Sequence, residues 1–214
     1  MKYFPKILAA AVLLAMPATA SAGPVRNIVL VHGAFADGSG WKQVADILVK
    51  DGYNVSVVQE PLTSFEADVS ATNRIVDRQK GRVVLVGHSY GGAVITEAGN
   101  NPNVASLVYV AAFVPDAGET VLSQIETNPP AASSIASTAD GYLLIDQELF
   151  PADFAADVPL AEARFMALSQ TPWNSKILAT PITAAAWKAK PAYGIVATQD
   201  RMINPDLERA MYRN

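Results

Sequence analysis

The 214-residue chain contains no cysteine and only two histidines, His32 and His88. Without thiols no disulfide can staple the fold, so a buried apolar core must supply the stability. Two histidines and no thiolate are too few ligands for an ordinary zinc site, which leaves open only an all-oxygen site for a hard cation. No metal ligand and no cofactor is therefore assigned. Basic residues are scarce as well: 16 Lys and Arg stand against 20 Asp and Glu, a formal charge of −4. No basic patch invites nucleic acid or an anionic membrane surface. Apolar residues, by contrast, make up 50% of the chain. That excludes a disordered chain and suits one substantial core.

The N-terminus reads differently from the rest. Lys2 and Lys6 precede the short apolar run "ILAAAVLLAM", and the small residues "ATASA" follow it. This order predicts a secretory signal peptide over residues 1–22, cleaved after Ala22, and hence export to the periplasm or the medium. The run is too short to span a bilayer, which takes about 20 residues, so no membrane attachment is expected after cleavage.

Beyond residue 25, apolar runs and helical periodicities alternate. "NIVLVHG" (27–33), "YNVSVVQE" (53–60), "RVVLVGHS" (82–89), "VASLVYVAAF" (104–113) and "PAYGIVATQD" (191–200) read as buried strands. Helical segments fall at 39–52, about 66–80, about 91–100 and 204–214. In the first, Ser39 is the expected N-cap, and Trp41, Val44, Ala45, Leu48 and Val49 form the apolar stripe. In the last, Asn204 is the expected cap and Pro205 opens the first turn. Strands joined through helices imply right-handed crossovers and a doubly wound parallel α/β sheet. Residues 116–186 break the rhythm, with six prolines after Pro115, the last of them Pro181, and short amphipathic pieces between them. The expectation is one α/β domain, 23–214, with its core at 23–115 and 187–214 and a helical lid over 116–186.

Chemistry concentrates at "VVLVGHSYGG" (83–92). Gly87-His88-Ser89-Tyr90-Gly91 fits G-x-S-x-G, a turn that lifts a serine onto the end of a strand while its glycines avoid collision. A second piece, "VLVHGAFADGSGW", ends the first strand at His32-Gly33-Ala34-Phe35. In a sheet of strand order 2-1-3-4-5 these two loops flank one crevice at the switch point. The backbone amides of Ala34 and Tyr90 would then form a two-donor oxyanion hole. Phe35, Tyr90, Phe113, Trp173 and Trp187 are candidates for an apolar substrate pocket, Phe35 and Trp173 foremost. Asp116, after the strand-end Pro115, reads as a lid-hinge carboxylate.

Together these motifs resemble the α/β-hydrolase superfamily, in particular its small lidded branch of plant methyl esterases, hydroxynitrile lyases and bacterial esterases. The resemblance runs from Asn27 onwards through "LVYVAAFVPD" and "IVATQDRMINPDLERAM". It implies a serine hydrolase that acts on small-molecule carboxylic esters through an acyl-enzyme, with Ser89 as nucleophile and Asp200 as the acid. It also implies a histidine base beyond a further helix and strand, yet the residues after Asp200 contain none. His88 precedes the nucleophile and alternation turns it away, while His32 reads as a prop for the oxyanion loop. The expectation is therefore a C-terminally truncated, inactive copy lacking the last strand and helix. A non-catalytic small-molecule-binding protein, or a lyase or cofactor-free oxygenase on the same scaffold, is the alternative. A lyase would want a cation near the serine, and Lys176 is the lid's lysine. Nothing in the sequence sets the oligomeric state.

Overall fold

The apolar runs do become strands, and the helical stripes pack on them. In the computed structural model, which describes residues 23–213, strand and helix alternate as β1 (Asn27–Val31), α1 (Lys42–Lys50), β2 (Asn54–Val57), α2 (Phe65–Asp77), β3 (Val83–Ser89), α3 (Gly91–Ala98) and β4 (Val104–Ala112). The expected signal peptide lies outside the described residues. Ser39 does not cap α1. It lies inside a 3-10 turn, Gly38–Trp41, and its N–H is taken by Asp37 Oδ1 at 2.7 Å. The carboxylate two residues upstream reaches the free amide first. The α1 stripe is also narrower than expected: Trp41, Ala45 and Leu48 pack on Ile28 and Leu30, whereas Val44, Ile47 and Val49 are exposed.

The insert holds α4 (Val121–Thr127), β5 (Ile135–Ser137), β6 (Tyr142–Ile145), α5 (Phe150–Asp153), α6 (Leu160–Leu168) and β7 (Trp173–Asn174). It is not purely helical, since β5, β6 and β7 form a separate three-stranded antiparallel sheet. Strands this short show no alternation, and the pairing of Leu143 with Trp173 is distant in sequence, so local periodicity could not reveal it. The two ends of the insert meet. Lys188 Nζ lies 2.6 Å from Asp116 Oδ2, Trp187 Nε1 donates to Pro115 O at 3.1 Å, and Gly118 N to Ile182 O at 2.8 Å. Asp116 thus ties the two ends of the insert together, and Trp187 is a strut there.

β8 (Ala192–Ile195) and α7 (Pro205–Met211) follow. Asn204 accepts from Asp206 N at 3.0 Å and caps α7, with Pro205 in its first turn, as expected. The main sheet runs β2-β1-β3-β4-β8, all parallel, with the order reversing between β1 and β3. One face packs on α2 and α3 in the larger core, built around Val29, Val31, Leu85, Leu107 and Ile95. The other face carries α1 over Ile28 and Leu30. Farther along it Val86, Val108 and Val110 are half-buried, while Tyr193 and Ile195 are exposed. Among the described residues no helix is long and apolar enough to cross a membrane.

Candidate active site

β3 ends in a bend that only this sequence pattern can make. Ser89 has φ 52°, a left-handed backbone that costs an L-residue on the order of 1–3 kcal/mol. A Cβ at Gly87 would lie 2.5 Å from Gly91 O, and one at Gly91 would lie 2.5 Å from His32 O. Side chains at either place would drive α3 off the sheet. On the β1 side a Cβ at Gly33 would lie 2.8 Å from Ser89 Cβ, so the loop after β1 rests on the serine. Ala34 follows Gly33 and Tyr90 follows Ser89, which brings the two expected oxyanion amides to one corner. α3 begins at Gly91, and its positive end favours negative charge there.

Ser89 opens into a crevice of about 550 Å³ that it shares with His88, Ala111, Asp153, Phe154 and Asp200. Sheet, insert and the loop after β8 each supply one wall. Asp200 thus lines the same crevice as Ser89. Its Oδ1 accepts the N–H groups of Met202 at 2.7 Å and Ile203 at 2.9 Å, which fixes the carboxyl. Burial raises its pKa above the ordinary value, and the two amides pull it back. The cation in the crevice is Arg201, committed to Asp153 Oδ1 at 2.8 Å. Lys176 is exposed and is not part of the lining.

Phe35 and Trp173, expected to line the pocket, do not. Both are buried and stack edge-on at 5.7 Å, and Trp173 also tilts against Tyr90 at 5.0 Å. Their apolar rings are better shielded against each other than against a wet crevice. Phe113 is buried beside the elbow, its N–H donating to Ser89 O at 3.1 Å.

His32 is accounted for by its hydrogen-bond partners. His32 Nε2 accepts from Glu60 N at 2.9 Å, so its proton sits on Nδ1, which donates to Gly33 O at 2.9 Å. Both nitrogens are engaged, and burial holds the ring neutral by lowering its pKa. His32 thus braces the loop after β1 against the segment at Glu60. His88 stands edge-on to Trp41 at 6.3 Å, on the α1 side of the sheet, and burial depresses its pKa to about 4.

Sequence reasoning missed the carboxyls under this corner. Asp68, wholly buried, accepts from Tyr90 Oη at 2.7 Å and from Leu62 N at 2.8 Å. Burial pushes it up to about 6, against the pull of those two hydrogen bonds. Glu60 is buried beside His32, and both its oxygens lack a partner among the described residues; burial raises its pKa strongly. A signal existed: Phe65, Asp68, Ala71, Thr72 and Val76 follow one helical stripe, with an acid in its middle.

Residues 28–214 match the Alpha/beta hydrolase family. The chain belongs to that family. Among curated relatives, the Carbendazim hydrolyzing esterase of Nocardioides sp. (strain SG-4G) is 33% identical over 50% of this chain and 51% of its own length. The family member thus spans about half of that relative. Among solved structures, a pyrethroid hydrolase from Sphingobium faniae JZ-2 superposes with a TM-score of 0.72 at 23% identity, covering 89% of this chain and 85% of that one. A polyneuridine aldehyde esterase mutant gives 0.74 at 14% identity, covering 88% and 86%. At such identities the superpositions establish the shared fold, plant and bacterial esterases included.

Proposed function

We propose that this family member is an exported serine hydrolase that cleaves small-molecule carboxylic esters through an acyl-enzyme. The observation that carries this reading is Ser89 at φ 52°, pressed against Gly33 and open to the crevice that holds Asp200. A strained serine in that position has no structural use, whereas as a nucleophile it is presented to a carbonyl carbon at the sheet edge. The Ala34 and Tyr90 amides take up the charge of the tetrahedral intermediate, aided by the positive end of α3. Relatives named for the hydrolysis of carbendazim and of pyrethroids support a small organic substrate. The lyase alternative is disfavoured because Arg201 is tied to Asp153 and Lys176 lies elsewhere.

The proton acceptor in this reading is a histidine that these 214 residues do not supply, oriented by Asp200. Two features support it. His32 has no free nitrogen, and the apolar row ending in Tyr193 and Ile195 offers a face that a base-bearing segment would cover. The 214-residue chain alone should then hydrolyse esters only at the residual rate left by oxyanion stabilisation and binding.

The reading is tested with p-nitrophenyl acetate and peptide mass spectrometry on the full-length protein. A pre-steady-state burst with acetyl on the Ser89 peptide, both lost in Ser89→Ala, is the expected result. Unchanged turnover in Ser89→Ala would overturn the nucleophile assignment. A full-rate burst from the 214-residue chain alone, abolished by His88→Ala, would overturn the assignment of the base.

A further inference from the structure

The segment from Glu60 to Asp68 reaches both halves of the oxyanion corner without facing the crevice. On the β1 side, Glu60 N donates to His32 Nε2 and His32 Nδ1 donates to Gly33 O, one residue before Ala34. On the β3 side, Leu62 N and Tyr90 Oη each donate to one oxygen of Asp68. Leu62 has φ 54°, a strained backbone at the residue whose N–H binds Asp68. The Tyr90 ring is gripped on its other side by Trp173. The next residue, Asn174, binds back to the same segment at Leu62 O, 3.0 Å, and Thr63 O, 2.9 Å.

Burying a carboxylate there is a poor way to gain stability, because an apolar side chain of similar size would avoid the desolvation penalty. What the carboxylate adds is direction. A tyrosine held at its hydroxyl and on its face has little freedom left, and its own backbone N–H is the amide that follows Ser89.

We propose that Asp68 is a positioning residue of the oxyanion hole, acting through the Tyr90 hydroxyl to fix the Tyr90 amide. This rests on the reading of Ser89 as nucleophile. An oxyanion donor works on the transition state, so its support acts on kcat and leaves KM almost untouched.

The experiment is a double-mutant cycle on the full-length protein with p-nitrophenyl acetate, using Tyr90→Phe, Asp68→Asn and the pair together. Each single change is expected to lower kcat roughly tenfold, with KM within about twofold and the double variant no slower than the worse single one. A merely structural role would lower the thermal midpoint without that pattern in kcat. Tyr90→Phe at wild-type kcat would overturn the inference, as would a double variant whose loss is the product of the two singles. If Asp68→Asn does not fold, Tyr90→Phe decides alone, since it removes one oxygen and keeps the ring on Trp173. Ser89→Ala separates the two ideas. Turnover that survives it sinks the nucleophile reading, whereas turnover abolished by it but unaffected by Tyr90→Phe sinks the positioning role only.

Discussion

One methyl group measures how tightly the elbow is built. A Cβ at Gly91 would meet His32 O at 2.5 Å and Val31 O at 2.9 Å, both backbone atoms of the neighbouring strand and its loop, which cannot swing aside. Gly91→Ala is expected to destabilise the protein by roughly 1–3 kcal/mol, the usual range for overpacking. Gly40→Ala, where nothing lies within 4 Å of the added Cβ, should stay within about 0.5 kcal/mol. Urea unfolding of the two variants side by side checks this; equal midpoints would show that α3 can shift. Residues of this kind were legible in the sequence because G-x-S-x-G encodes a collision that spacing alone reveals. Asp68 was not legible, because an acid is read as surface unless its place on a buried stripe is noticed. Phe35 and Trp173 were misplaced for the converse reason: an aromatic near a site looks the same in sequence whether it lines a pocket or packs behind it.

At the scale of elements, α7 governs the loop that carries Asp200. α7 buries Leu207, Glu208 and Met211, and Glu208 Oε2 accepts from Ala197 N at 3.1 Å, at the root of that loop. Glu208→Gln keeps the acceptor and should leave stability at pH 6 within about 1 kcal/mol. Glu208→Ala leaves the Ala197 N–H unpaired beside a cavity and should cost about 2–3 kcal/mol. With the loop loosened, kcat for ester hydrolysis should fall more than KM changes. Thermal melts and steady-state kinetics of the pair would show it, and a Gln variant as damaged as the Ala variant would argue against the hydrogen bond as cause. The core strands and helices were legible because each is a continuous apolar run or a clear stripe bounded by turn residues. The insert was not, because β5, β6 and β7 exist through pairing with one another, as Tyr142 with Asn174, and their own residues carry no period.

For the whole molecule the unusual quantity is where its protons sit. An acidic chain would ordinarily keep its carboxyls in water, yet Glu60, Asp68 and Glu208 are buried, and burial raises the pKa of each, Asp68 to about 6 and Glu208 to about 7. A carboxyl raised on folding binds its proton more tightly in the native state. Its contribution to stability is complete below the unfolded value and is lost as pH rises through the folded one. His32 and His88 are lowered by burial, so their contribution is complete above about 6.5 and is lost as pH falls. The two slopes oppose each other between about pH 4 and 6.5 and flatten the profile there. Above 6.5 the histidines no longer act, and the carboxyls alone set the slope. Stability is therefore expected to fall between about pH 6.5 and 8, by on the order of 1 kcal/mol from Glu208 alone. Urea midpoints taken across that range should drop in the wild type and drop less in Glu208→Gln. A rise with pH, or an identical drop in the variant, would mean that Glu208 is already ionised in the native state near neutrality.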